Sequence, residues 1–387
     1  MISLASACGG AGGSTDASAG GAPAGGGGTT GARGGATGSG GAAGAHGGTT
    51  GGGGAAGGAG AAGAHGGATG GGGAAGGAGA AVWRPFADTS VWNTPIAAGA
   101  TVDANSATLI ADFSSIAGQT EFWINIQDYS VPVYWVDSTT APMVTVMAAL
   151  GGTGFRTGAA DDSVAAGTGP APIPSGAMPA VGTDQHLSIV DRATRMEWAF
   201  WDADHSSGSW TAGEASTQDL SGDGVRPPER NNLWWAGHGP RACGFGLIAG
   251  LITVDEIQAG TIRHALVIAY PHIRSSTYTP PASSAQGTTT DAIKTRGILC
   301  GGRVQLDPTL DLSTLNLSSS GLIIARALQV YGAFVGDYSG AVSLYADASP
   351  DAQATWASGL LGNGDAQKIP LNRFRVLTIG TIYDNMN

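Results

Sequence analysis

"DQHLSIVDRATRMEWAFWDAD", residues 184–204, decides how the rest of the chain is read. A tight turn at Ala193 and Thr194 folds it into two antiparallel strands. His186 then lies opposite Trp201, Ser188 opposite Ala199, and Val190 opposite Glu197. Side chains alternate across a strand, so Leu187, Ile189, Met196, Trp198 and Phe200 share one face. That face is apolar and must be core, because a slip of one residue would expose all of it. His186, Ser188, Val190, Glu197, Ala199 and Trp201 share the other face. On an exposed sheet that mixture suits a ligand: Trp201 to stack on a sugar ring, Ser188 to hydrogen-bond, His186 and Glu197 for proton transfer. The bland alternative is an ordinary polar outer face with one covered tryptophan.

The same strand pattern recurs along the chain. Short β-branched and aromatic runs bounded by turn residues occupy 121–129, 131–137, 143–150, 262–271, 303–307, 341–347 and 373–380. Helical signals are few. "TVDEIQAG" (253–260) carries a capping box from Thr253 to Glu256 and a stop at Gly260. "GLIIARALQVYGAF" (321–334) has helical periodicity, and 351–361 is a third candidate. The expected class is mainly β, a β-sandwich or jelly-roll-like domain with a few peripheral helices.

Composition divides the 387 residues in two. Residues 1–81 are almost wholly Gly, Ala, Ser and Thr, and all ten tryptophans lie in 82–387. About 300 residues remain in that second part, enough to bury a substantial core. Within the first part "AAGAHGGTTGGGGAAGGAG" at Ala42 recurs at Ala61 as "AAGAHGGATGGGGAAGGAG". A sequence with nothing apolar to bury and maximal backbone entropy to lose is expected to be a disordered tether. "MISLASACGG" resembles a bacterial lipobox, with Cys8 as the lipidated residue. Seven residues precede Cys8 and none is basic; a signal peptide needs a positive n-region and an apolar core of roughly 7–15 residues. The lipoprotein reading therefore requires a start upstream of Met1, and the alternative is a free cysteine.

Cys243 and Cys300 are the other two cysteines. In an oxidising compartment their default is one disulfide, worth about 2–4 kcal/mol; the alternative is two buried thiols. No run of about 18 apolar residues occurs. A net charge of −11 with only 12% charged residues disfavours nucleic acid and an anionic membrane surface. Localisation is expected to be extracellular or at the outer cell surface, through a lipid anchor if Cys8 is modified, and the domain is expected to be a monomer.

Four blocks carry a resemblance: "FADTSVWNTPI" (86–96), "DQHLSIVDRAT" (184–194), "GLIAGLITVDEIQAGTIRHALVIA" (246–269), and "RVQLDPTLDL" with "ARALQVYGAFVGDYSG" (303–340). Together they resemble a family of secreted bacterial proteins in which the blocks recur in this order. The resemblance implies one exported domain and lends no catalytic residues. Sequences of that kind carry an acidic residue near the position that is Ala199 here.

Catalytic signatures are absent from the sequence: no GxSxG, HExxH or Walker A appears. A glycosidase needs two carboxylates, and Glu197, Asp202, Asp204, Glu214 and Glu229 are available. We take Glu197, His186 and Asp202 as candidate catalytic groups, and Trp201, Ser188, Trp234, Trp235 and His238 as candidate substrate contacts. His264, on the face of Ile262 and Leu266, reads as a core histidine, Asp255 and Glu256 as helix-capping acids, and Asp337 as a turn residue. "DLSGDGVRPPE" (219–229) suggests a calcium loop, but EF-hand spacing fails, so no cofactor or metal is expected. The function expected is a carbohydrate-active enzyme, a glycoside hydrolase on a neutral polysaccharide. A glycan- or envelope-binding surface protein and a polysaccharide lyase are the alternatives.

Overall fold

A computed structural model describes residues 82–116, 122–149, 154–157, 169–226, 239–285 and 297–384. The Gly-rich segment, Cys8, Glu229, Trp234, Trp235 and His238 lie outside the described residues. Strands dominate. They are β1 (Trp123–Asn125), β2 (Val133–Val136), β3 (Val144–Ala148), β4 (Gly154–Thr157), β5 (Gly169–Ala171), β6 (Leu187–Asp191), β7 (Met196–Trp201), β8 (Trp210–Ala212) and β9 (Glu214–Asp219). The second half adds β10 (Leu266–Ala269), β11 (Arg274–Tyr278), β12 (Leu299–Cys300), β13 (Arg303–Leu306), β14 (Ala333–Asp337), β15 (Ser343–Tyr345), β16 (Phe374–Val376) and β17 (Tyr383–Asp384). Helices α1 (Ser106–Ser114), α2 (Val254–Gln258), α3 (Ser319–Val330) and α4 (Pro350–Thr355) accompany them.

These strands form four sheets, ordered β1-β15-β10-β14-β13-β16, β12-β11-β17, β2-β6-β7-β9-β4 and β5-β3-β8. The fold is mainly β, consistent with a sandwich. Pairing is mixed: β1 runs parallel to β15, β10 to β14 and β2 to β6, while β6–β7 and β7–β9 are antiparallel.

The opening stretch forms the expected hairpin in the expected register. Leu187 pairs with Phe200, Ser188 with Ala199, Ile189 with Trp198, and Val190 with Glu197. Asp191 shapes its turn. Oδ1 accepts the Ala193 and Thr194 N–H groups at 2.7 and 3.0 Å, and Oδ2 accepts the Ser138 N–H at 2.9 Å. Burial opposes ionisation of Asp191, but the Ser138 and Thr194 donors outweigh it and hold the carboxyl well below the usual range.

Both faces of this sheet are covered, which corrects the expectation of an exposed ligand face. Leu187, Ile189, Trp198, Phe200 and Ala215 join a small core with β3, β5 and β8 residues such as Val146 and Trp210. Val190 and Ala199, on the opposite face, join the large core that includes Phe245, Leu247, Ile248 and the β10 and β14 residues. Backbone 239–252 therefore lies on the mixed face. His186 is 2% exposed, and Ser188 and Glu197 are 0% exposed. The pattern of polar residues is that of an internal interface, which a polar outer face imitates in sequence.

Three helical expectations fared differently. α2 carries the Thr253–Glu256 capping box. α3 ends at Val330, and Ala333 and Phe334, expected as its last residues, begin β14 instead. Gly332, at φ +67°, turns the chain between them. The third, expected over 351–361, forms as α4 and continues into a wider helical turn over Trp356–Leu360 that ends at Gly359, φ +92°. The α1 helix, the strands β4, β5, β8, β9, β11, β12 and β17, and the strand role of 333–337 went unread in the sequence.

Candidate functional site

The polar side chains of the covered face hold the segment that covers them. Glu197 Oε1 accepts from Ser188 Oγ at 2.7 Å and from the Ile248 N–H at 2.8 Å. His186 Nε2 lies 3.1 Å from the Pro240 carbonyl. Arg226 Nη2 donates to Ser216 Oγ at 2.9 Å. Burial raises the Glu197 carboxyl, against the Ser188 and Ile248 donors and the Arg226 and Arg241 charges. Burial, helped by the Arg241 charge, pushes the His186 imidazole down to about 3, so it is neutral at neutral pH.

At one end of this interface a second set of groups converges on Arg241. The Arg241 guanidinium is 1% exposed. Its Nη2 donates to the Leu247 carbonyl at 3.1 Å, its Cζ lies 4.3 Å from the Tyr345 ring centroid, and its Nη1 stands 3.6 Å from Asp337 Oδ2. The Tyr345 side chain lies close enough to the Asp337 carboxyl for each to shift the other's titration. Asp337 ends β14, and its Oδ1 accepts the Tyr338 N–H at 3.0 Å. Asp337 was expected in a turn; it is a buried strand residue, 6% exposed.

Asp184 joins this set from the open end of the β6–β7 hairpin. The Asp202 N–H donates to the Asp184 carbonyl at 2.9 Å, and the Ala203 N–H to that of Gln185 at 3.2 Å. Gln185 and Asp202 hold φ of +42° and +52°. Left-handed backbone at non-glycine residues costs on the order of 1–3 kcal/mol and concentrates at functional sites.

The electrostatics follow from crowding. Burial pushes the Asp337 carboxyl up to about 6; the Arg241 charge opposes this and Asp184 adds to it. Asp184 is also raised by burial, against Arg241. Tyr345 is raised well above its ordinary value by burial and by the Asp337 charge. Burial and the neighbouring Asp184 carboxyl thus leave Asp337 with an affinity for its proton near neutral pH, the condition a general acid needs.

The structure thus separates the sequence candidates. Asp202 sits beside Asp184, half-buried. Trp201 is half-buried and packs where a Cβ on Gly213 would stand, 2.8 Å from its ring. His186, Ser188 and Glu197 are interior. Asp204 binds its own turn through Ser206, and the His205 ring stacks on Trp210 with centroids 4.7 Å apart. In the suspected calcium loop, Asp219 accepts from the Ser221 N–H at 2.7 Å and Asp223 from the Val225 N–H at 2.9 Å. His264 is a paired core histidine, bonded to Glu256 at 2.8 Å. Cys243 and Cys300 form a disulfide, compatible with an extracellular protein. Among the described residues no helix is long and apolar enough to cross a membrane.

Sequence reasoning missed Asp184, Arg241 and Tyr345 as site groups and misread Asp337. Only proximity to Cys243 singled out Arg241, and no spacing joins positions 184, 241, 337 and 345. No protein-family model, no curated protein and no solved structure matches the chain.

Proposed function

We propose that the protein is an exported carbohydrate-active enzyme, a glycoside hydrolase acting on a neutral polysaccharide, with Asp337 and Asp184 as its carboxyl pair. The observation that carries this is Asp337, a carboxyl pushed up to about 6 and held between Arg241 and Tyr345 with a second raised carboxyl nearby. In hydrolysis, Asp337 gives its proton to the leaving glycosidic oxygen. Asp184 takes a proton from the attacking water, whose oxygen bonds to the anomeric carbon. The scarcity of Lys and Arg supports a neutral substrate.

A panel of neutral and uronate-containing polysaccharides, incubated with the full chain, tests this. New reducing ends from a neutral glycan, lost in Asp337→Asn and Asp184→Asn, support hydrolysis. Unsaturated products from a uronate polymer instead indicate a lyase.

A glycan-binding surface protein is the second reading. It is favoured by a groove of about 490 Å³ lined by Val144, Met147, Ile173, His205 and Trp210. Retention on insoluble glycan without any product supports it.

A further inference from the structure

The Cys243–Cys300 disulfide stands directly behind the Arg241–Asp337 pair. The Cys243 N–H donates to the Gly336 carbonyl at 3.2 Å, one residue before Asp337, and Arg241 lies two residues before Cys243. From the other half, the N–H of Gly301, next to Cys300, donates to the Val335 carbonyl at 2.8 Å. Both ends of the cross-link are thus bonded to β14, the strand that ends in Asp337. Cys243 and Cys300 are each 0% exposed.

We propose that this disulfide positions the Arg241 guanidinium against Asp337, so that the cross-link sets the charge environment of the carboxyl as well as adding stability. Its consequence for turnover rests on the reading of Asp337 as proton donor; its effect on the pair does not, and is read without substrate. Removing the cross-link lets segment 239–243 drift from β14. Arg241 then stops favouring the ionised form, and Asp337 titrates higher. The other groups facing Asp337 are Asp184 and Tyr345.

Carbon-13 NMR titration of the Asp337 carboxyl tests this on the full chain. In Cys243→Ala/Cys300→Ala the midpoint rises by about one pH unit, the size expected when an opposite charge at close range is lost. Arg241→Gln gives a similar rise, and the triple variant adds nothing further. A wild-type midpoint in the folded cysteine-free protein overturns the proposal. If that chain does not fold, Ser283→Ala/Ser284→Ala decides. It keeps the disulfide but removes the bonds from Ser283 to Gly244 and from Ser284 to Ala242. Its midpoint stays at the wild-type value if the disulfide does the positioning. A rise there assigns the role to those hydrogen bonds and overturns the proposal. Where a substrate is turned over, the descending limb of the pH–rate profile moves with the midpoint; absence of turnover leaves the titration result standing.

Discussion

Gly246 and Glu197 meet at the interface between the β6–β7 hairpin and segment 239–252. A Cβ on residue 246 would stand 2.4 Å from Glu197 Oε2 and 2.2 Å from Gln218 Oε1. Glu197 and Gln218 are cross-strand partners on β7 and β9, so the glycine lets backbone 246 close onto both. Gly246→Ala forces this interface apart. We expect a loss of roughly 1–3 kcal/mol, as for other overpacked interiors, in urea unfolding. A change within error would contradict the contact.

Glu197 itself should behave as a structural acceptor. Glu197→Gln keeps Oε1 for Ser188 and Ile248. Glu197→Ala leaves both donors buried without a partner, at about 1–3 kcal/mol. The folded carboxyl is raised, so its contribution is greatest below its ordinary value of 4.5 and falls as pH rises toward the folded value. Glu197→Gln should therefore gain on wild type as pH increases. Unfolding curves at pH 4 and pH 8 that show the opposite trend would refute this.

Trp198 anchors the small core on the other face of the hairpin, 9% exposed. Trp198→Ala is expected to cost roughly 3–5 kcal/mol. Trp201→Ala, at a half-buried position, should cost much less. Equal losses in thermal melts would mean that the two faces are not distinguished as described.

His264 gives a pH dependence of the same sign, setting in above 6.5 rather than above 4.5. Its Nε2 is 2.8 Å from Glu256 Oε1 and its Nδ1 is 2.9 Å from the Ala265 carbonyl. Both ring nitrogens face acceptors, so both carry protons. Burial disfavours that charge, but Glu256 and the two hydrogen bonds outweigh it and raise the imidazole above 6.5. Its stabilisation is full below 6.5 and is lost as pH rises through the folded value. Glu256 also accepts from the Thr253 N–H and hydroxyl through Oε2, at 3.1 and 2.9 Å, so the loss falls on the start of α2. His264→Gln should remove this pH dependence from the melting temperature. An unchanged slope would contradict the pair.

The hairpin register and the capping box were legible because each rests on local rules. Alternation fixes which side chains share a face, and Thr253 and Glu256 are three residues apart. Coverage of the mixed face was not legible. His186, Ser188 and Glu197 look the same in sequence whether water or backbone 240–248 satisfies them. The carboxyl pair was hidden for a related reason. Asp184 and Asp337 are brought together by the packing of segment 239–252 between two sheets, which leaves no spacing to read. Ala333 and Phe334 were read as the end of the 321–334 helix, whereas Gly332 turns the chain there into β14 and its parallel pairing with β10, a non-local event.

Turnover of a neutral polysaccharide by wild type and Asp337→Asn, followed from pH 5 to pH 8, tests the central claim most directly. A carboxyl that must be protonated to act, with its midpoint pushed up to about 6, predicts release of reducing ends that falls as pH rises through that value. It also predicts that folded Asp337→Asn releases none. Turnover that is flat across this range, or that survives in Asp337→Asn, would contradict the assignment of Asp337 as the proton donor.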